Sequence, residues 1–551
     1  MTKAPSTRDD ATPAEPAETA GFPIEFERPG DEQLSWEWDD MHMPFAMTTL
    51  AGDYVRELIT GGMNEHYRMF DFPQRMRCAV WHGYVYFGMQ RTYPIEERPA
   101  VLARYVEVSR QRAEITSPLW WDEVIPELHH LYDSIAAVDV DGLGRSELGD
   151  GWDAAWNAGL RAWELHFIWI MGPYQILEDL TDLYTEVMGK GTDQEALRLI
   201  HGKNDDLASV DFDIERLAML ATGHPAVAAR LQQPGGADVE MLGSLPGGPE
   251  FAAALEEFLD RHGHLGQGFD DLALASWAED PRLILRELGK RIARPAASAE
   301  RRARLIGESD ELAARVREHL ADKPEELERF EHVLEVARAI GPLTEGHNYW
   351  IDRMAQARLR TLAVRVGRRL AREGLLEAPD DIFHLHVGEI AATLRDAIDR
   401  RSLVLERRRE HQHNRSLTPP RNLGKPPIDT GPVDRFDSAP IESTEADVLR
   451  GTGASAGIAR GPARVALGPD DFGRIQPGDI IVCPSSNPSW VPVFTIAAGL
   501  VTNTGGVLSH AAVVAREFGL PAVVGARDAT TSIADGRLLE IDGTLGTVRL
   551  L

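Results

Sequence analysis

Near residue 411 the chain stops reading as helix, and that switch constrains the fold more than any other feature. Upstream, from about Asp31 to about Arg409, apolar residues recur at helical spacing. In "RLRTLAVRVGRRLAREGLLEAPDDIF" (358–383), Leu359, Leu362, Ala363, Val366 and Leu370 share one face. Arg360, Arg365, Arg368, Arg369 and Arg372 fill most of the rest, and Gly374 and Pro379 mark the end. "DAAWNAGLRAWELHFIWIM" (153–171) is apolar over much of its length and is expected as a buried helix, its tryptophans packing the core. From 411 to 440, in "HQHNRSLTPPRNLGKPPIDTGPVDRFDSAP", prolines and glycines recur and periodicity vanishes, which reads as a linker. After about Leu449 come short β-rich runs ("ARGPARVAL", "GDIIVCPS", "GLVTN", "PAVVGA", "RLLEI") separated by glycines and prolines. One helix is expected near 510–518, ending at Gly519, and Asp542-Gly543 signals a turn before the last strand. Such a chain is expected to fold as a large helical unit followed by a small α/β unit.

Charge narrows the partners. The 551 residues carry a formal net charge of −29, which repels nucleic acid and anionic membranes. No run of ~18 apolar residues is present to span a membrane. The two cysteines, Cys78 and Cys483, give neither a disulfide framework nor zinc spacing, so a reducing, cytoplasmic setting is expected. The Ala/Pro/Thr/Glu-rich start, residues 1–30, is expected as a disordered tail.

The chemistry concentrates in "TNTGGVLSHAAVVAREFGLPAVVG" (502–525). Imidazole is a good nucleophile near neutral pH, and a phosphoryl group held on its nitrogen stays reactive. Backbone N–H groups at a helix start, reached through a glycine turn, can stabilise phosphoryl oxygens without a lysine. Gly505 and Gly506 let the backbone approach, Thr504 and Ser509 add hydroxyls, and Ser509 is also expected to cap the helix that His510 opens. Arg516 is expected in a structural ion pair with Glu517 or another neighbour, and Asp380-Asp381 at a helix N-cap.

Residues 446–551 closely resemble the swivelling phosphohistidine domain of phosphoenolpyruvate-utilising enzymes, a family that includes phosphoenolpyruvate synthase, pyruvate phosphate dikinase and the rifamycin phosphotransferases. The matching text is "GASAGIARGPARV", "PGDIIVCPSSNPSWVPVFTIAAGLVTNTGG" and "SHAAVVAREFGLPAVVG". Leu508 stands where pyruvate phosphate dikinases carry a threonine, so regulation through that threonine is not expected. The helical body resembles the substrate-binding domain of rifamycin phosphotransferases and the histidine-bearing subunit of phenylphosphate synthase. That resemblance rests on "WEWDDMHMPFAMTTL" (36–50), "FLDRHGHLGQGFDDLALASWAEDP" (258–281), "EGHNYWIDR" (345–353) and "APDDIFHLHVGEI" (378–390). Leu265 departs from the arginine usual in the second stretch, and Phe269 or Asp270 from the glutamate.

The resemblance implies a multidomain α and α/β protein. Its parts are a tail (1–30), a mostly α-helical acceptor-binding domain (31–410), a linker (411–445) and a swivelling β/β/α phosphohistidine domain (446–551). It implies a phosphotransferase of the dikinase type, with His510 as phosphohistidine and Thr504, Gly505, Gly506 and Ser509 around the phosphate. No ATP-grasp text or glycine-rich nucleotide loop is recognised. ATP and Mg²⁺ are therefore expected on a partner ATP-grasp subunit, and phosphoenolpyruvate synthesis on a barrel is not expected. The implied net reaction converts ATP, water and an alcohol, by analogy a phenol, to AMP, phosphate and a phosphate ester. A phenolic hydroxyl, with a reference pKa near 10, needs help losing its proton. His347, His264, His166 and His42 are the candidate bases, and His347 with Asn348 and Asp352 forms the most polar cluster. The aromatics of "WHGYVYFGMQ" (81–90) read equally as an acceptor pocket or as core. No metal constellation is apparent. A larger alcohol such as an antibiotic, a keto acid in its enol form, and a phosphocarrier that serves another protein remain alternative readings.

Overall fold

A long apolar-faced helix, Thr49–Met69, runs beside the helix Arg145–His166, and the two lie at the centre of the N-terminal body. The computed structural model describes residues 22–189, 193–203, 205–233, 238–266, 271–293, 298–425, 447–486 and 490–551. Helices dominate up to Asn414. The expected helix over 358–372 is the last part of Met354–Arg372, and Leu359, Leu362, Val366 and Leu370 are all buried.

Three departures from the expected layout stand out. The body contains an antiparallel sheet of order β2-β3-β1-β4, made of β1 (Ser35–Trp38), β2 (Gln74–Trp81), β3 (Tyr84–Arg91) and β4 (Asn422–Gly424). The aromatics of 81–90 belong to this hairpin; Trp81, Tyr84 and Tyr86 pack with Trp36 and Phe22 in one buried cluster. His82 and Gly83 both have positive φ (53° and 80°), the backbone a two-residue hairpin turn requires.

The expected linker is also partly structured. The helix Arg401–Asn414 runs past residue 411, and β4 pairs with β1 in the register Trp36↔Leu423. An edge strand offers unpaired N–H and C=O groups, and β4 satisfies those of β1. Residues 426–445 of the expected linker lie outside the described residues, as do residues 1–21 of the expected tail. Phe22, inside that tail, is buried against His82 and Tyr84, because its ring completes the aromatic cluster.

The C-terminal unit is an eight-stranded mixed sheet of order β5-β12-β11-β7-β8-β9-β10-β6. Its strands are β5 (Val448–Arg450), β6 (Thr452–Ser455), β7 (Ile458–Val465), β8 (Ile480–Cys483), β9 (Gly499–Thr502), β10 (Ala522–Val524), β11 (Leu538–Asp542) and β12 (Thr547–Leu550). β7, β8, β9 and β10 run parallel, and β8 and β9 are buried along their whole length, as continuous apolar runs in a parallel sheet should be. The helix His510–Phe518 connects β9 to β10, and Gly519 in the left-handed region closes it. The fold is thus a large helical domain with a small C-terminal β-rich domain.

The two units share apolar surface. One buried cluster runs from Val210, Leu217, Phe258, Trp277 and Leu288 of the body into Trp490, Phe494, Ala512 and Ala515 of the C-terminal unit. Val507 and Leu508 pack against the main body core. Polar links flank this surface: Gln194 donates to Gly543 O at 2.8 Å, and the Arg301 guanidinium lies 5.1 Å from the Phe518 ring centre. Among the described residues, no helix is long and apolar enough to cross a membrane.

Candidate functional site

His510 is the first residue of its helix, so its backbone and ring stand where helical N–H groups lack internal partners. The preceding loop is tightly tied. Thr504 donates its N–H and its hydroxyl to Pro484 O at 3.2 and 3.1 Å. Gly505 has φ +105°, and a Cβ there would stand 2.7 Å from Ser509 Oγ, so only glycine fits without strain. Ser509 occupies the N-cap position, but its hydroxyl donates to Gly506 O at 2.8 Å and makes no side-chain cap bond. The expected cap is therefore absent, because the nearer carbonyl inside the turn takes the hydroxyl.

Arg516 also departs from expectation. Its buried guanidinium donates to Val507 O at 2.6 Å and Ala454 O at 3.2 Å, and among the described residues it makes no salt bridge, though the Glu517 charge favours its cationic form. The planar fork matches these two fixed carbonyls and ties the loop before His510 to β6; burial lowers Arg516 to about 10. The N-cap expected at Asp380-Asp381 falls on Ala378 instead; Asp381, three residues on, reaches back to accept from Glu377 N and Ala378 N at 3.0 and 2.9 Å.

The C-terminal unit brings His510 against the helical body. His510 Nδ1 lies 2.5 Å from Oε2 of Glu345, whose side chain is 2% exposed. His510 Nε2 is buried and has no hydrogen-bond partner among the described residues. A proton on Nε2 would be an orphaned buried donor, so the favoured tautomer carries it on Nδ1, donated to Glu345. Nε2 then holds the free lone pair. Burial pushes Glu345 above the usual carboxylate range, and the facing His510 opposes that shift.

Beside Glu345 lies a second buried group. His166 Nδ1 is 2.8 Å from Asp352 Oδ1. The His347 ring packs edge-on against His166 with centroids 4.6 Å apart, and His347 Nδ1–H donates to Leu343 O at 2.7 Å. Burial, reinforced by His166, lowers His347 to about 4, so this imidazole is neutral at physiological pH. Burial alone would raise Asp352, but His166 holds it below its ordinary value.

Helix geometry explains the convergence. His347 ends the short helix Leu343–His347, and a π-helical segment, Asn348–Arg353, follows it. Five residues on an α-helix leave two side chains about 140° apart; the wider π turn brings His347 and Asp352 to one side. A second π segment, Phe167–Met171, directly follows His166.

The other candidates lie elsewhere. His264 is buried against the Tyr349 ring, 4.4 Å between centroids, and burial lowers it to about 3. Its neighbour His262 bonds Asp213 at 2.9 Å. His42 is largely exposed and pairs with Asp39 at 3.0 Å beside the N-terminal sheet. Leu265 is buried in the core shared by the two units, and Phe269 and Asp270 lie outside the described residues. Glu345 was not singled out in the sequence. It opens the stretch "EGHNYWIDR", but its partner is 165 residues away and only docking defines its role.

Comparison with known proteins gives matches in both units. Residues 475–546 match the family described as PEP-utilising enzyme, mobile domain, and residues 166–345 match the rifampicin phosphotransferase fourth domain. The second match begins at His166 and ends at Glu345. Chondramide synthase of Chondromyces crocatus is 30% identical over 99% of this chain and 14% of its own length. A rifampicin phosphotransferase of a Streptomyces species is 31% identical over 68% of this chain and 43% of its own. An uncharacterised phosphotransferase of Bacillus subtilis is 26% identical over 71% of this chain and 48% of its own. The chain thus spans less than half the length of each of these relatives. The two domain matches and these relatives support a phosphoenolpyruvate-utilising, dikinase-like family for the chain.

Proposed function

We propose that this chain is a phosphotransferase whose His510 Nε2 carries a phosphoryl group and passes it to a hydroxyl bound in the helical body. The observation that carries the reading is the 2.5 Å contact between His510 Nδ1 and Glu345, which leaves Nε2 as the free nitrogen at the interface. With Nε2 phosphorylated and a proton on Nδ1, the ring is an imidazolium. Glu345 holds the proton on Nδ1, so that neutral imidazole rather than imidazolate departs, which is the better leaving group. In transfer the P–Nε2 bond breaks, its electron pair stays on Nε2, and a P–O bond forms to the acceptor oxygen. The group His166, Asp352 and His347 eases loss of the hydroxyl proton. Thr504, Gly505, Gly506 and Ser509 form the phosphate-binding loop.

Loading is assigned to an ATP-grasp unit on a partner chain, with ATP and Mg²⁺ bound there. His510 is pyrophosphorylated, water removes the terminal phosphate, and AMP, phosphate and phospho-His510 result. A phenolic hydroxyl is the proposed acceptor and the cytoplasm the proposed setting. The match of 166–345 to a rifampicin phosphotransferase domain favours, as a second reading, a larger hydroxylated natural product. Reconstitution with an ATP-grasp chain, ATP labelled separately at the β and γ positions, and a panel of phenols and polyketide alcohols tests both. The β label is expected in the ester and the γ label in free phosphate, with neither ester nor phosphoprotein from His510→Ala. Transfer of label only to another protein would make the chain a phosphocarrier and refute the acceptor reading.

A further inference from the structure

We infer that His166, His347 and Asp352 form a binding site for one divalent transition-metal ion at the face where His510 docks. One ligand atom from each of these three buried residues lies within 4.8 Å of the other two. His166 Nδ1 and Asp352 Oδ1, at 2.8 Å, already have the spacing of adjacent ligands on one ion, roughly 3 Å for bonds of about 2.1 Å at right angles. Bringing the third donor to the same centre takes about 1.5 Å of side-chain movement at most.

The donors are prepared for this role. His347 gives its Nδ1–H to Leu343 O, the backbone bond that typically fixes the ring of a metal-ligating histidine, so Nε2 keeps its lone pair. Two imidazoles packed at 4.6 Å beside one buried carboxylate form a compact donor set that a shared cation would satisfy. The π turn that aligns His347 with Asp352 is a local irregularity of the kind found at functional sites. Two nitrogens and one oxygen favour Zn²⁺, Mn²⁺, Fe²⁺ or Co²⁺ over Mg²⁺, which prefers an all-oxygen shell. Three protein ligands leave positions for an exchangeable oxygen. Glu345 precedes His347 by two residues and faces His510, so the ion would lie beside the transfer point. Its proposed service to an acceptor oxygen rests on the reading of this face given above; its binding does not.

The test uses the full chain, freed of metal by a chelator, without partner or acceptor. Titration with Zn²⁺ against a chromophoric chelator, and with Mn²⁺ followed by electron paramagnetic resonance, is expected to show one saturable site per chain. His347→Gln and Asp352→Asn are expected to weaken it at least 10–100-fold while melting within a few degrees of the parent. X-ray absorption of the Zn²⁺ form is expected to report two nitrogen and at least one oxygen ligand. No saturable binding, or binding unaltered in both variants, would overturn the proposal, even if phospho-His510 still forms and discharges. Metal bound with these ligands but no phosphoryl transfer to any small hydroxyl would leave the site standing and sink the proposed function instead.

Discussion

Replacing Glu345 by glutamine separates the two half-reactions. Glutamine keeps the shape and an acceptor oxygen but removes the charge opposite His510 Nδ1. A hydrogen bond to a charged group contributes about 1.5–3 kcal/mol and a neutral one about 0.5–1.5, so the variant loses about 1–2 kcal/mol of support for the Nδ1-protonated form, the one that departs as neutral imidazole. That slows discharge of phospho-His510 about 5–30-fold. Alanine removes the whole contact and should slow discharge about 10–150-fold. On the proposed reading, loading by an ATP-grasp partner would take place with His510 away from Glu345 and should keep its rate. The assay is rapid quench: His510 is loaded with labelled phosphate, mixed with acceptor, and phosphoprotein and ester are followed in a single turnover. Equal slowing of loading and discharge, or unchanged discharge in Glu345→Ala, would refute the reasoning.

Other outcomes follow from the docked interface. Gly505→Ala forces a side chain into positive φ and onto Ser509 Oγ; it should destabilise the C-terminal unit by about 1–3 kcal/mol in thermal melting and abolish loading. Arg516→Met removes the donors to Val507 O and Ala454 O, leaving two buried carbonyls unpaired, and should cost about 1–3 kcal/mol each in denaturant unfolding. Burial raises Glu517 to about 7, against the N–H of Gly202, Arg516 and Arg302, with Glu345 adding to the rise. When the units part, Glu517 returns toward its ordinary value of 4.5. The docked state then binds the proton more tightly, so docking should strengthen as pH falls from about 7 toward 4.5 and level off outside that window. Fluorescence transfer between dyes on the two units should report this, and Glu517→Gln should flatten the profile.

What the sequence disclosed, and what it hid, follows from the range of the interactions involved. The helix His510–Phe518, its glycine stop and the loop before it are local, so spacing and turn chemistry announce them. The helical register of 354–372 is legible for the same reason. The N-terminal sheet is not: β1 finds one partner at 86–89 and the other at 422–424, and its aromatic-rich strands read as core of either kind. Its turn, His82-Gly83, lacks the asparagine or aspartate that usually signals such a hairpin. The partnership of His166 with Asp352 spans 186 residues, and only a π turn, which no simple periodicity encodes, puts His347 beside them.

The apolar seam joining the two units has a thermal consequence. Burial of oily surface weakens on cooling, so the cold should pry Val507 and Leu508 off the body and let the arm that carries His510 linger apart from it. Warming should send it home. If His510 carries phosphate as proposed, the protein would hoard it on ice and spend it on return to growth temperature.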